Sequence, residues 1–166
     1  QYFRRTQLQE LSVEGKIRML ARLIRDNTAM ALQGIGGVVP IFALYDSNNK
    51  TENLVSPSGR IFFYDVLGAQ FETVDFATSG SGSVWIRGIL HYLDRWSETR
   101  LSQMDINQAT STILRLLDTA AEFDTATSGT NMKSQIYPII KTVTQDGVQE
   151  LSLDLIQQVY ETVVQV

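Results

Sequence analysis

There is no cysteine in the 166 residues, and this one absence removes disulfide bonds, thiol nucleophiles and thiolate metal sites together. It is compatible with a cytoplasmic location. Histidine occurs once, as His91; a lone imidazole without cysteine partners does not make a metal site, and no cofactor is expected. Positive charge is in deficit. The net charge of −4 argues against a nucleic-acid partner, which would want a basic face. The clustered cations, Arg4-Arg5 and Lys16, Arg18, Arg22 and Arg25, are interleaved with apolar residues, as on the solvated face of a helix. Long apolar runs are missing as well. None approaches the roughly 20 residues of a membrane span, and no signal-peptide pattern is present, so no membrane partner is expected.

Other kinds of chemistry lack their residues. Asp94, Glu98 and Asp105 are scattered and form no paired-carboxylate site. Gly34-Ile35-Gly36-Gly37 lacks the lysine that a phosphate-binding loop requires next. There are no internal repeats and no low-complexity tract. Nor is there an initiating methionine: the chain opens on Gln1-Tyr2-Phe3, inside a helical pattern, which predicts that something precedes Gln1 in the gene.

What is present has the profile of one globular domain over residues 1–166, 43% hydrophobic and 19% charged. Residues 1–11 read as a short helix. A stronger helix follows over about 13–33, with Ile17, Leu20, Ala21, Ile24, Thr28, Ala31 and Leu32 on one buried face. The nearly continuous apolar run over 38–46 predicts a buried strand, and 47–59 a polar loop. Residues 60–68 and 69–78 predict two strands joined at Gly68. A helix to about Trp96 should bury Val84, Ile86, Ile89, Leu90 and Leu93. A second, over about 105–122, should bury Ile106, Ala109, Ile113, Leu116, Leu117 and Ala120. A strand over 136–144 leads to Asp146-Gly147, a type I′ turn signal. A last helix starts near Ser152, its N-cap, and carries Leu155, Ile156, Val159 and Val163. Strands in blocks and helices in pairs predict an α+β fold with antiparallel sheet.

One stretch asks for more than a fold. In Phe123-Asp124-Thr125-Ala126-Thr127-Ser128-Gly129, Ser-Gly is a helix stop. Asp124, however, stands at a helix C-terminus, where the macrodipole disfavours negative charge. Either Asp124 forms an Asx-turn with the next loop, or it has a task. Ser81, in Ser79-Gly80-Ser81-Gly82-Ser83, likewise reads either as a cap of the next helix or as a site residue.

Two stretches taken together, FATSGSGSVWIRGIL (76–90) and AAEFDTATSGTN with IYPIIKTVTQDG (120–147), resemble a proteasome β-type subunit of the bacterial, actinobacterial-like branch. NTAMALQG with VPIFALYD and GRIFFYDVLG fit the same family in order and spacing. The likeness runs from Tyr2 to the end and corresponds to the C-terminal two-thirds of such a subunit. It implies an N-terminal-nucleophile hydrolase fold: antiparallel sheets stacked between helical layers (αββα), here lacking the first strands. It also implies a nucleophilic threonine at the mature N-terminus, with its own amine as base; that threonine and the groups that tune it lie in the first strands, outside this chain.

What the resemblance places in this chain is the supporting shell. Ser81 matches the serine that hydrogen-bonds near the threonine amine. Asp124 matches the aspartate that orients that serine and the N-terminus. Thr127 matches a nearby hydroxyl, usually serine, and Ser128 stands where glycine is common; both departures keep a small side chain. Three functions follow for comparison: a subunit of a proteasome-like particle degrading proteins by threonine-type peptide hydrolysis in an ATP-dependent system, a non-catalytic or split structural subunit acting through assembly, and an unrelated α+β interaction domain. The order of motifs disfavours the third. The implied partners are like subunits in a homo-oligomeric ring, α-type proteasome subunits, and peptide or unfolded protein as substrate.

Overall fold

Ser12 starts the first helix by accepting the Gly15 N–H on its hydroxyl at 3.1 Å. The structure is a computed structural model that describes residues 5, 11–46, 59–73, 75–131 and 134–164. The helix expected over 1–11 and the loop expected over 47–59 thus fall almost wholly outside the described residues. The chain divides into two compact units, Gln1–Ala77 and Thr78–Val166.

In the first unit, helix α1 (Val13–Asp26) buries Ile17, Ala21 and Ile24, the 4, 3 spacing of one helix face. The expected single helix to residue 33 is broken at Asn27. That residue caps α1, donates from Nδ2 to the Gly36 carbonyl at 2.8 Å, and is followed by only a short helix α2 (Thr28–Ala31). An asparagine side chain competes well for nearby backbone groups, and here it ends the helix early; Leu32, expected inside, is exposed.

Strands β1 (Ile41–Tyr45), β2 (Gly59–Tyr64) and β3 (Gln70–Thr73) form an antiparallel sheet in that order, pairing Phe42 with Phe62 and Phe63 with Phe71. Period-2 alternation puts Phe62 and Tyr64 under α1, where the Tyr64 hydroxyl donates to the Ile17 carbonyl at 3.1 Å. Phe63 faces the other way and stacks on Phe71, with centroids 5.0 Å apart. The strand expected to be buried along residues 38–46 is shorter and only half-buried, on one face. Val38, Val39 and Ile41 are exposed, because helix α1 covers a single side of the sheet. The Gly68 turn is as expected: its φ is +81°, and Asp65 Oδ1 accepts the N–H groups of Leu67 and Ala69 at 2.9 and 2.8 Å.

Arg60 gathers three carboxylates at the end of this sheet. Its guanidinium is bidentate to Glu72 (2.7 and 3.0 Å), and its Nη1 reaches Glu14 at 3.2 Å and Asp46 at 3.3 Å. The bonds to Glu72 raise the Arg60 pKa, and the bond from Arg60 lowers that of Glu72. Glu14 and Glu72 are open to solvent and screened. The buried Asp46 loses this ion pair when the cation is removed. Arg60→Ala is therefore expected to destabilise by about 1–3 kcal/mol at neutral pH. A depressed carboxylate pKa contributes stability above the ordinary carboxylate range and loses it as pH falls through the folded value. The part of the melting-temperature gap between wild type and Arg60→Ala that comes from Glu72 should thus be present at pH 7 and shrink as pH falls below the ordinary carboxylate range; a gap independent of pH would contradict this reading.

In the second unit, α3 (Ser83–Trp96) leads through a 3₁₀ turn (Leu101–Gln103) to α4 (Ile106–Phe123). A capping box opens α4: Asp105 Oδ1 accepts the Gln108 N–H at 2.8 Å, and Gln108 Oε1 accepts the Asp105 N–H at 3.1 Å. The hairpin β4 (Lys141–Thr144) and β5 (Gly147–Glu150) follows, then α5 (Leu153–Val164), with Ser152 capping Leu155 at 3.3 Å as expected. The core joins Leu114, Ile140, Ile156 and Tyr160.

Four expectations need correcting here. None of the α3 residues is buried: Ile86, Ile89, Leu90 and Leu93 are half-buried and Val84 is exposed. On α4 the inward residues are Thr110, Leu114, Leu116 and Ala120, with Ile106 and Ile113 exposed, a rotation of the buried face set by packing against α5. The strand expected over 136–144 begins only at Lys141, since Pro138 has no N–H to give to a ladder. The hairpin turn is not type I′ either. Thr144 pairs with Gly147, and Gly147 alone has positive φ (+105°), the pattern of a type I turn closed by a glycine. The chain is α+β with both sheets antiparallel, the class that the sequence implies. Among the described residues no helix is long and apolar enough to cross a membrane.

Candidate functional site

Helix α4 ends because the backbone turns extended at Asp124, with φ −118° and ψ 108°. The Asp124 N–H still closes the last helical bond to the Ala120 carbonyl at 2.9 Å. A carboxylate here faces the negative end of the macrodipole, so it needs donors of its own, and it has three. Ala126 N–H donates to Oδ1 at 3.2 Å. On the other oxygen, Oδ2, two hydroxyls converge: Ser81 Oγ at 2.6 Å and Thr127 Oγ1 at 2.5 Å. The Asx-turn reading of Asp124 holds on one oxygen, and the other oxygen makes different bonds. Oδ1 makes the Asx-turn, while Oδ2 collects hydroxyls from two separate segments.

Ser81 is not the cap of α3. The N-cap is Gly82, with no side-chain bond to the helix, and the Ser81 hydroxyl points to Asp124. Residues 81 and 124, 43 apart in sequence, are thus joined by one short bond of the kind made to an ionised acceptor. The Ser81 bond, then that of Thr127, hold the Asp124 carboxyl below its ordinary pKa; burial opposes them, and the Ala126 bond adds a lesser lowering. Depression means that the ionised form, and the cluster built on it, persists at neutral pH and is lost only when pH falls below the carboxylate range. Among the described residues none forms an ion pair with Asp124.

The donor–acceptor arithmetic sets what the cluster can do. A hydroxyl has one proton and two lone pairs. Ser81 and Thr127 each commit the proton to Asp124, so their free lone pairs turn outward as acceptors beside a negative charge. The arrangement suits a positively charged N–H donor. Ser81 is exposed and Asp124 half-buried, so such a donor has access.

One residue of the site escaped the sequence reading. Gly82 is buried, and a Cβ placed on it would lie 2.7 Å from Thr127 Oγ1, 3.2 Å from Ala120 Cβ and 3.4 Å from Asp124 Oδ2. Its backbone, φ −69° and ψ −14°, is open to any residue, so the requirement is steric. In sequence Gly82 looks like one more turn glycine among several. Beside the cluster, Trp85 stacks on Phe123 with centroids 5.2 Å apart, tying the start of α3 to the end of α4. His91 is exposed on α3 and is not part of this cluster.

No protein-family model matches the chain. Curated proteins do. The proteasome subunit beta of Streptomyces griseus is 36% identical over 152 residues, 92% of this chain and 49% of that protein. The proteasome subunit beta 2 of Thermomonospora curvata is 38% identical over 164 residues, 99% of this chain and 54% of that protein. The proteasome subunit beta of Acidothermus cellulolyticus is 37% identical over 164 residues, again 99% of this chain and 53% of that protein. The chain spans about half the length of the curated relatives it matches.

Proposed function

Because the chain belongs to the proteasome β-type subunit family, we propose that it supplies the supporting half of a threonine-type peptidase site in a proteasome-like core particle. The observation that carries this reading is the convergence of Ser81 and Thr127 on one oxygen of an ionised Asp124 that has no ion-pair partner among the described residues. Ser81 Oγ, its proton held by Asp124, accepts an N–H of the amino-terminal threonine and fixes where that amine sits. Asp124 stabilises the ammonium that forms when the amine takes the threonine hydroxyl proton. The threonine itself is carried on a segment outside these 166 residues, and 1–166 is the remainder of the same domain. Peptide or unfolded protein is the substrate, in ATP-dependent protein degradation in the cytoplasm.

Like subunits in a ring, and α-type subunits against it, are the partners. This accords with the apolar side chains that α3 leaves open, among them Val84, Tyr92 and Trp96. The test uses the complete protein assembled with its partners and treated with a threonine-directed covalent inhibitor. A single adduct on the amino-terminal threonine, with loss of peptide hydrolysis, is expected. An assembled particle that neither hydrolyses peptide nor takes the label would favour the non-catalytic, structural subunit instead.

A further inference from the structure

After Asp124 the chain doubles back along the helix it has just left. Thr127 N–H bonds the Asp124 carbonyl at 3.0 Å, a Cβ on Gly129 would come within 3.3 Å of Ala121 Cβ, and Thr130 N–H donates to Asp118 Oδ1 at 3.3 Å. The other oxygen of Asp118 accepts the Tyr160 hydroxyl at 2.6 Å, and the Thr130 side chain is itself hydrogen-bonded to Tyr160. Tyr160 is fixed in turn: it is buried in the core of this unit, with Tyr137 edge-on at 6.0 Å. Beneath the returning segment lies a cavity of about 190 Å³, lined by Leu117, Ser128, Gly129, Thr130, Ile136, Tyr137 and Pro138. Gly129 rests on Ala121, but on the cavity side the loop has little to pack against, so there its position depends on the hydrogen bonds at its two ends.

We infer that Asp118, anchored by Tyr160, is a positioning residue that clamps the far end of the 124–130 loop and so keeps the Thr127 hydroxyl on Asp124. Asp118 touches neither Ser81 nor substrate; it acts through the loop. The inference rests on the catalytic reading of the cluster given above. An Asp118→Ala chain frees Thr130, lets the loop move over the cavity, and leaves Asp124 with one hydroxyl held less firmly.

The experiment is run on the complete assembled protein with two readouts, amide hydrogen exchange and peptide hydrolysis normalised to inhibitor-titrated sites. Asp118→Ala should speed exchange at Ala126 and Thr127 about 10-fold. It should lower kcat by a similar factor, with KM nearly unchanged, because geometry is lost and not substrate binding. Asp118→Asn keeps an oxygen for Thr130 N–H and an amide donor for Tyr160, and should restore kcat to within about 3-fold of wild type. Tyr160→Phe, which removes one oxygen and keeps the packing, should fall between the two and covers the case in which the alanine variant does not assemble. Exchange at Ala126 and Thr127 that is unchanged in both Asp118→Ala and Tyr160→Phe, or faster exchange with full kcat, would overturn the inference. Asp124→Asn serves as the reference. If it impairs turnover while the Asp118 variants do not, this inference alone fails; if Asp124→Asn is inert, the catalytic reading fails and this inference goes with it.

Discussion

Asp124→Asn in the complete particle should melt within about 1 kcal/mol of wild type and hydrolyse peptide about 10²-fold more slowly. The asymmetry comes from what an amide can offer. Oδ1 accepts Ala126 N–H, and Oδ2 accepts both hydroxyls; asparagine has one oxygen and one NH₂ for these two places. With the oxygen toward Ala126 the Asx-turn survives, which is why folding should survive. The NH₂ then faces Ser81 and Thr127, and both hydroxyls must rotate to accept from it. Their protons swing outward, so the site shows donors where an ammonium needs acceptors, and the negative charge is gone as well. The opposite flip preserves the hydroxyls but sets NH₂ against the Ala126 N–H. No orientation satisfies all three. Turnover and melting temperature, measured together on particles of equal assembly, check this. Unchanged turnover would reduce Asp124 to a turn residue.

Gly68→Ala is expected to be the most damaging single-methyl change in the first unit, at about 2–5 kcal/mol. Two effects add. The φ of +81° is costly for any residue with a Cβ, by about 1–2 kcal/mol. The methyl would also sit 2.5 Å from the Ala21 carbonyl oxygen and 3.1 Å from the Arg25 amide nitrogen. Both are backbone atoms of α1 that no rotamer can move aside, so the helix must lift from the hairpin, with a loss typical of overpacking. Gly34→Ala separates the terms. Its φ is +77° with nothing within 4 Å, so it should show the backbone cost alone. Denaturant unfolding of the complete protein carrying each variant gives the difference. Equal losses at the two positions would mean that the approach of α1 to the turn contributes nothing.

Positions 68 and 82 also mark where the sequence was legible and where it was not. Gly68 between two apolar alternations announced a turn, and the turn is there; nothing local said that a helix carbonyl lies against it. The Gly-Ser-Gly-Ser run announced a helix start, and α3 starts there; that Gly82 must lack a side chain because Thr127 stands over it is a contact across 45 residues. Helix periodicity was read correctly at Ile17, Ala21 and Ile24, where one element packs on one sheet. It failed on α3, whose apolar residues are mostly half-open, and was right only in part on α4, where Leu116 and Ala120 are buried as expected but Leu114 and not Ile113 turned inward. In a segment apolar on several sides, periodicity leaves the buried face undetermined until a neighbour covers one.

The sequence by itself determined the α+β class, the start of the last helix at its Ser152 cap, and the three residue types at 81, 124 and 127 that the family likeness singled out. These depend on bonds within four residues of each other, or on an ordered set of motifs. Tertiary structure alone decided that Ser81 bonds Asp124 and does not cap a helix, and that Thr127 shares the same oxygen. It also decided that Asp118 and Tyr160 hold the loop between. A hydroxyl will donate to whichever strong acceptor lies within 3 Å, and only folding determines which acceptor that is.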